Sequence, residues 1–347
     1  MDQRRRGVRG SGRTSGSAVA GGRGHTNQRS SRSGRGGGSR GVGVPLPNYA
    51  STRASLLSLG LSLVGFDQGR QDCREGLLMR RFRAHYGIGP NAVKALIRDL
   101  HRYHPNTTIN VTHLFMAISW LKLYPTEEVM AGSWNYTEQI CRETVRDYVL
   151  GIQTLKNIKI NFDDLDPSVE YLPVDMVHMI CHEFRCTPNS MWYSHKSNGP
   201  AVAYELVTDP VKGKIVWING PEPPSTPDIE FLRGGKARKK NEWKKSALYF
   251  HIPNNVKLVG DSAYTGQPDK VTTTNDQHSR ATKNLFARIK SLNETVFNRM
   301  KNFKILRESF RHGSGTLDKL KKHKMAAEAV AVLVEYDIEY EKPLFEV

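Results

Sequence analysis

Apolar side chains recur at helical spacing through residues 66–155. In the segment PNAVKALIRDLHRYH, Val93, Leu96, Ile97 and Leu100 follow the i, i+3, i+4, i+7 pattern, which predicts an amphipathic helix with one buried face. Beyond residue 162 the pattern changes to short runs that are rich in Val and Ile, which is typical of strands. The chain is therefore predicted to fold as a helical region followed by an α/β region.

The second region has a defined order of predicted elements. Strands are predicted at residues 171–183, 201–209, 214–221 and 255–261, with DPVKGK as the turn of a hairpin. A short helix in PSTPDIEFLRGG, one long helical pattern over residues 278–312 and a final helix from residue 325 follow. Three strands, a helix, a strand and a long helix predict an α/β fold with a mixed sheet and flanking helices.

Within the helical region, a helix is predicted at residues 112–124 and a short one at residues 126–131. Asn135 opens a third, because Glu138 follows it at capping-box spacing. A short helix, a tight turn with Gly132 and a longer helix give the outline of a helix-turn-helix unit. Any small three-helix bundle has the same periodicity, so DNA binding and plain packing both stay open here.

The third helix of this unit has two distinct faces. Its apolar face is formed by Cys141, Val145, Tyr148, Val149 and Ile152. Its other side carries Gln139, Arg142 and Arg146. If the unit is a helix-turn-helix, we expect Arg142 and Arg146 to contact DNA.

Charge narrows the choice of partner. The chain has 347 residues, 38% of them hydrophobic, and a formal net charge of +17, which indicates a polyanionic partner. The sequence shows no apolar run of membrane-spanning length and no signal-peptide pattern, so nucleic acid is favoured over a membrane. Four cysteines without a CxxC pair predict a reducing interior, and we expect the nucleus.

The beginning of the chain differs in composition from the rest. The first 44 residues are mainly Gly, Ser and Arg, with ten Arg against one Asp, a local net charge of +9. Such a segment buries too little apolar surface to fold, so residues 1–65 are predicted to be a disordered basic tail. A solvated tail and a nucleic-acid tether or nuclear-import signal both stay open. The predicted domains are residues 66–160, helical, and 165–347, α/β.

Three acids stand out by their position in the predicted elements. Asp175 lies inside the first strand, Asp261 ends the fourth in LVGDSAYTG, and Glu294 lies on the long helix. Carboxylates are the hard oxygen ligands that Mg²⁺ prefers, and two such ions stabilise both oxygens of a phosphodiester displacement. Three unrelated caps and turn formers would give the same residues, so both interpretations are open from spacing alone.

The motifs around these acids carry a resemblance. The Asp-x-x-His strand, the Gly-Asp-Ser-x-Tyr turn and the Glu-Thr-Val-x-x-Arg-x-Lys-x-Phe helix occur in this order. Together with YSHKSNGPAVAYELVTD they resemble the DDE transposases of the PIF/Harbinger group, over residues 86–347. The resemblance implies an RNase H-like domain with Asp175, Asp261 and Glu294 as catalytic and metal-binding residues, two Mg²⁺ or Mn²⁺ ions, and cleavage and strand transfer at transposon ends.

The resemblance also implies binding partners, and the chain departs from the family pattern at one position. It implies DNA as substrate, a homo-oligomer, and in some members a separate DNA-binding accessory protein. The family often has Gly after its first Asp, where this chain has Met176. Strand alternation places Met176 on the opposite face from Asp175, so it need not block a metal.

Further residues are candidates around this site. His178, Ser225 and Asp228 are expected at its edge, although a packed histidine and a helix N-cap at Ser225 and Asp228 are the plain alternatives. The expected DNA contacts outside the helix-turn-helix are Lys239, Lys240, Arg288, Arg299 and Lys301. A zinc site at His178, Cys181, His182 and Cys186 is disfavoured, because no second ligand pair lies nearby.

Two other function classes compete with a transposase-like nuclease. One is a domesticated, inactive DNA-binding protein that keeps the fold, for which the loss of an acid would be the sign. The other is an RNA-binding protein that uses the Arg/Gly tail, which the absence of an aromatic-studded RNP motif disfavours. An RNA binder is expected to lose most of its affinity when residues 1–44 are deleted.

Overall fold

The computed structural model describes residues 52–184, 190–236, 240–275 and 277–345. This part of the chain forms twelve α-helices and six β-strands. The helices are α1 Arg53–Leu63, α2 Gln68–Gln71, α3 Glu75–Tyr86, α4 Pro90–Tyr103, α5 Val111–Leu123, α6 Glu127–Trp134, α7 Glu138–Thr154, α8 Lys156–Lys159, α9 Asp228–Arg233, α10 Arg280–Lys301, α11 Lys304–Arg307 and α12 Thr316–Tyr340. The strands are β1 Tyr171–Ile180, β2 Tyr193–Ser194, β3 Gly199–Asp209, β4 Lys214–Glu222, β5 Lys257–Gly260 and β6 Val271–Thr273.

The six strands form one mixed sheet. The order is β2-β3-β1-β5-β6, and β4 also pairs with β3. The β1–β3 and β3–β4 pairs are antiparallel, whereas β1–β5 and β5–β6 are parallel. The predicted hairpin is present, with Gly213 of its turn at φ +63°. The mixed α/β fold with flanking helices is therefore confirmed.

The two faces of β1 pack against different layers. Val177 faces a large core that includes Leu292 and Val296 of α10 and the apolar side of α12. Met176 instead lies in a second core with Leu232 of α9. The predicted alternation is confirmed at Met176, which is buried among these side chains on the face opposite to Val177.

Helix α12 is the central element of the helical layer. It packs against α4 and α7 on one side and against β4 on the other. As a result, the N-terminal helices and one face of the sheet share a continuous hydrophobic core. The described residues from 52 onward belong to one compact unit, and the predicted boundary near residue 160 lies inside it.

Helix α1 lies where the sequence predicted the end of the disordered tail. Residues 53–63 are helical, with Leu56 and Leu61 fully buried. A Cβ on Gly60 would lie 2.5 Å from the Phe82 ring, so α1 approaches α3 closely at this glycine. The average composition of residues 1–65 concealed this short leucine-rich run. Residues 1–51 of the predicted tail lie outside the described residues.

The three helices predicted between residues 112 and 155 are present, but their ends differ. Helix α6 continues through Gly132 to Trp134, and Asn135 is its C-cap in the left-handed conformation, at φ 56°. Thr137 caps α7, and its side chain accepts a hydrogen bond from the Ile140 amide. The prediction of Asn135 as N-cap was therefore wrong by two residues, because Asn also suits the left-handed C-cap position.

The remaining predictions of elements were correct in type and less accurate in extent. The long helical pattern of residues 278–312 is two helices, α10 and α11, separated at Asn302 and Phe303. The sequence analysis missed β2 and β6, which have two and three residues. Such short strands carry too few residues for a period-2 pattern to be visible.

Candidate functional site

The site is built where the parallel pairing of β1 with β5 ends. The pairing of β1 with β5 places Pro173 opposite Val259. Asp175 is two residues beyond Pro173, and Asp261 is two residues beyond Val259. Because parallel strands advance together, the two carboxylates lie at matching positions at the same edge of the sheet.

Asp261 ends β5 in a short 3-10 turn, Ser262–Tyr264. Its Oδ1 accepts a hydrogen bond from the Ala263 amide at 2.9 Å, and the residue is exposed. A Cβ on the preceding Gly260 would lie 2.7 Å from the Tyr264 ring, so glycine is needed for this turn to fold back beneath the strand. Asp261 therefore serves as a cap, as one of the two interpretations of the sequence required.

Asp175 is half-buried beside two other acids. Its Oδ1 accepts from the Met176 amide at 2.7 Å. Burial raises the pKa of Asp175 to about 6; the Met176 amide and the Lys196 ammonium oppose this shift, and the charges of Asp261 and Asp228 add to it. These three aspartates therefore share one electrostatic environment.

Asp228 enters this environment from α9. The N-cap of α9 is Pro227 and no side chain caps the helix, so the predicted capping role of Ser225 and Asp228 is not observed. Burial raises the pKa of Asp228, and the Asp261 charge acts in the same direction. Ser225 is exposed, and its amide donates to the Met191 carbonyl at 3.4 Å.

Glu294 lies on α10, the helix that packs against β1. It is exposed and follows the buried Asn293. Lys301, seven residues later on the same side of the helix, is close enough to Asp175 for the two charges to interact. Glu294 is about 10 Å back along the helix axis from Lys301, given a rise of about 1.5 Å per residue.

The acids do not form a preassembled metal cluster. Within residues 52–184, 190–236, 240–275 and 277–345, no group of three or more His, Cys, Asp or Glu side chains is arranged to hold a metal ion. The charges of Asp175, Asp261 and Asp228 nevertheless interact with one another. The disfavoured zinc site is also not assembled from His178, Cys181 and His182, while Cys186 lies outside the described residues.

Two buried polar residues beneath the aspartates were missed by the sequence analysis. Tyr264 is fully buried, and its hydroxyl has no hydrogen-bond partner within the described part of the chain. Burial raises the pKa of Tyr264, and the carboxylates of Glu205 and Asp228 add to the shift. Glu205 accepts from Trp217 Nε1 at 3.2 Å, and burial raises its pKa to about 8, so it is protonated at neutral pH. A glutamate inside the apolar run AVAYELV was the available signal.

His178 lies on the opposite face of β1 from Asp175, as alternation predicted. Its Nδ1 is 2.7 Å from Ser194 Oγ. Burial lowers the pKa of His178 to about 4, and the positive charges of Lys196 and Lys301 add to this effect. The imidazole is therefore neutral at physiological pH and serves as a hydrogen-bonding group.

Three of the arginines predicted to contact DNA form ion pairs or hydrogen bonds with other residues of the chain. Arg142 pairs with Glu127, and Arg146 pairs with Asp147 at 3.0 Å; both arginines are exposed on α7. Arg299 is half-buried, and its guanidinium donates to the carbonyls of Lys342 and Pro343 near the C-terminus. Arg299 therefore connects α10 to Lys342 and Pro343, and it is not part of the α10 surface near Asp175.

The other predicted DNA contacts are distributed over the surface. Lys240 is exposed, and its Nζ lies 4.6 Å from the centre of the Tyr249 ring. Arg288 is exposed on α10. Lys239 lies outside the described residues. Among the described members of this set of cations, Lys301 is the one whose pKa the Asp175 carboxylate raises, against the larger effect of burial.

Comparisons with known proteins give no match. No family model matches the chain, and no curated protein or solved structure matches it either. Among the residues that the structure describes, none of the helices combines the length and apolar character needed to span a membrane.

Proposed function

We propose that this chain is a metal-dependent DNA nuclease of the DDE transposase type, which cleaves and joins phosphodiester bonds at transposon ends. The observation that carries the proposal is the placement of Asp175 and Asp261, each two residues beyond the last pair of the parallel β1–β5 ladder, Pro173 and Val259. Two carboxylates on adjacent strands are a suitable platform for two-metal phosphoryl chemistry. The RNase H-like class belongs to the same proposal, with three antiparallel strands beside two parallel ones in its support.

The donor set fits Mg²⁺ or Mn²⁺. Asp175, Asp261 and Asp228 offer hard carboxylate oxygens, the ligands that these ions prefer. Their mutual repulsion helps to raise the pKa of Asp175 and of Asp228, and a bound cation would relieve it. When bound, the ions would supply a Lewis acid and an activated water or hydroxyl.

The residues of the chain have separate roles in this proposal. Asp175 and Asp261 hold the metal, and Glu294 from α10 is the third ligand by resemblance. Lys301 holds a DNA phosphate next to Asp175, since its charge already interacts with that carboxylate. The neutral His178 positions neighbouring groups through Ser194. DNA as partner, a homo-oligomer and nuclear location remain parts of the proposal.

A second candidate is a DNA-binding protein that keeps the fold without catalysis. The specific observation in its favour is that, among the described residues, no three His, Cys, Asp or Glu side chains are arranged to hold a metal ion. In that case Asp261 is only the cap of its turn, and Asp175 is a half-buried acid beside two lysines.

Calorimetric titration with Mn²⁺ separates the two candidates. We expect Asp175→Asn and Asp261→Asn to bind Mn²⁺ at least about tenfold more weakly, a loss of about 1.4 kcal/mol or more. Asn at position 261 still accepts the Ala263 amide, so the turn survives, and circular dichroism checks the fold. The exposed Asp163→Asn is the matched control.

Two further variants identify the third ligand. Glu294→Gln is expected to weaken Mn²⁺ binding if α10 supplies this ligand, and Asp228→Asn if α9 does. Wild-type cleavage of duplex DNA in Mn²⁺ that disappears in Asp175→Asn supports the nuclease. Equal Mn²⁺ affinity in the wild type, Asp175→Asn and Asp163→Asn, without cleavage, supports the non-catalytic protein.

A further inference from the structure

A lysine that the sequence analysis did not select lies at the tip of the turn beside the aspartates. Residues 195–198 connect β2 to β3, and Ser194 pairs with Gly199 across this turn. Asn198 adopts φ 51°, a left-handed conformation that asparagine tolerates in tight turns. Lys196 is exposed at this tip.

The turn is fixed to the strand that carries Asp175. Ser194 is buried, and its Oγ lies 2.7 Å from His178 Nδ1 on β1. The same oxygen accepts a hydrogen bond from the Ser197 amide at 3.1 Å. The Ser194 hydroxyl therefore connects β1 to Ser197, the residue that follows Lys196. These two hydrogen bonds hold the backbone of the turn at a fixed position relative to β1, the strand that carries Asp175.

The turn places Lys196 close enough to Asp175 and Asp228 for their charges to interact. Its positive charge acts to lower the pKa of Asp175 and of Asp228, against the upward effect of burial on both carboxyls. It also acts with burial to lower the pKa of Lys301. Lys196, from the β2–β3 turn, and Lys301, from the end of α10, thus approach Asp175 from two separate elements.

We propose that Lys196 is a substrate-binding residue of this site, that it contacts a DNA phosphate next to Asp175, and that Ser194 and His178 are the positioning residues that hold its turn. This inference rests on the proposed function, because it needs DNA to enter the site. Two cations close to a carboxylate group are suited to hold a polyanion against metal-bound carboxylates, since they offset the negative charge that both bring. A lysine serves here as a point charge for one phosphate.

The first experiment compares Lys196→Met with the matched control Lys257→Met. Lys257 is equally exposed but lies at the opposite end of β5 from Asp261. Duplex DNA affinity is measured against salt concentration with Ca²⁺ present. We expect Lys196→Met to bind about three- to tenfold more weakly and its salt slope to fall by about 1, as for the loss of one phosphate contact, and the control to stay at the wild-type values.

Mn²⁺ affinity gives a second readout with the opposite sign. Removal of a positive charge near the aspartates is expected to strengthen Mn²⁺ binding by Lys196→Met about two- to fivefold, in the absence of DNA. If Lys196 had only a structural role, its substitution would weaken the binding of Mn²⁺ and of DNA together. Ser194→Ala, which keeps the lysine but removes its anchor, is expected to weaken DNA binding less than Lys196→Met and to leave Mn²⁺ affinity near the wild-type value.

The outcomes distinguish this inference from the proposed function. If the wild type binds Mn²⁺ through Asp175 and Asp261 while Lys196→Met keeps its DNA affinity and salt slope, the nuclease proposal stands and the role of Lys196 is overturned. If the wild type binds neither Mn²⁺ nor DNA, both are overturned. Weaker DNA binding combined with stronger Mn²⁺ binding in Lys196→Met alone supports the role proposed for it.

Discussion

At the scale of single residues, Asp261 shows that a cap and a ligand are compatible roles. Its Oδ1 accepts the Ala263 amide, which satisfies the turn that follows β5. Its charge nevertheless raises the pKa of both Asp175 and Asp228, which places it electrostatically among them. A carboxylate has room for several interactions on its two oxygens, so the observed cap does not decide against a metal.

Glu335 on α12 is a buried acid outside the candidate site. It is 3% exposed, and its Oε2 accepts a hydrogen bond from the Ile215 amide of β4 at 2.7 Å. Burial raises the pKa of Glu335 to about 8, so the folded protein holds this proton at neutral pH. In the unfolded chain a glutamate has a pKa of about 4.3 and is ionised there.

The Glu335→Gln variant is expected to gain stability relative to wild type as pH rises. Between about pH 5 and pH 8 the folded wild type binds more protons than the unfolded chain, so its free energy of unfolding falls with rising pH. Gln keeps an acceptor for the Ile215 amide and does not titrate. Urea unfolding at pH 5 and pH 8 measures the difference between variant and wild type, which we expect to shift by about 1–3 kcal/mol in favour of the variant.

The exposed Glu170→Gln is the control for this titration. A difference between Glu335→Gln and wild type that is the same at both pH values would show that Glu335 is already ionised in the folded protein.

Strand alternation was enough to predict the sheet face of individual residues only where a single strand determined their position. It placed Met176 and His178 on the face opposite to Asp175, and the structure confirms this. The contribution of Lys196 depends instead on a four-residue turn and on a hydrogen bond between Ser194 and His178. Such a contact joins residues far apart in sequence, and no local pattern records it.

At the scale of elements, the attachment of α10 to the sheet depends on one buried polar residue. Asn293 has no exposed surface, and its Oδ1 accepts from Thr208 Oγ1 at 2.8 Å. Its Nδ2 donates to the Leu206 carbonyl at 3.3 Å, and Leu206 pairs directly with Asp175. Asn293 therefore fixes the position of the helix that carries Glu294 relative to the strand that carries Asp175.

Replacing Asn293 is expected to loosen this attachment. Asn293→Leu leaves the Thr208 hydroxyl and the Leu206 carbonyl without this partner, at a cost of about 2–4 kcal/mol in the free energy of unfolding. Asn298→Ala, at an exposed position on the same helix, is expected to change stability by less than about 0.5 kcal/mol.

Urea unfolding of Asn293→Leu, Thr208→Val and the double variant gives the coupling energy of the pair. We expect a coupling of about 1 kcal/mol or more, because the two side chains share one buried hydrogen bond. Additive effects of the two substitutions would mean that α10 is held by apolar packing alone.

Elements were predicted well where the periodic pattern extended over many residues. Their boundaries were predicted poorly where the choice of capping residue determined them. The amphipathic faces of α4 and α7 needed only apolar spacing. The start of α7 depended on whether Asn135 or Thr137 supplies the cap, and both residue types suit helix ends. The distance of Glu294 from the aspartates has the same origin, because helical spacing places Glu294 on a side of α10 but does not fix how far along the sheet that helix lies.

At the scale of the whole molecule, α12 joins the N-terminal helices to the sheet through charged groups. Asp337 Oδ2 pairs with Arg83 Nη1 of α3 at 2.9 Å, and its Oδ1 accepts from the Gly89 amide, also at 2.9 Å. Glu341 accepts from the Asn91 amide at 2.7 Å. The last turns of α12 therefore satisfy the first amides of α4, although 248 residues separate Gly89 from Asp337.

Because α12 connects the N-terminal helices to the sheet, the predicted domain boundary near residue 160 can be tested. The test is whether the helical region and the sheet unfold cooperatively. If residues 66–160 were an independent domain, the loss of Asp337 would loosen α3 and α4 and leave the sheet intact. If the chain folds as one unit, Asp337→Ala removes the closer ion-pair partner of Arg83, which keeps Glu341 at 3.6 Å, and leaves the Gly89 amide without its acceptor, and it lowers global stability by about 2–4 kcal/mol. Asp337→Asn keeps an acceptor for Gly89 and is expected to cost less.

Hydrogen exchange and urea unfolding together decide between these cases. The control is Glu339→Ala, because Glu339 is 41% exposed in its ion pair with Lys159 and should contribute less than about 1 kcal/mol. With one cooperative unit, Asp337→Ala raises amide exchange in α4 and in β1 by the same free energy as the loss measured in urea. Faster exchange limited to α3 and α4, with β1 unchanged, would instead establish the helical region as a separately unfolding domain.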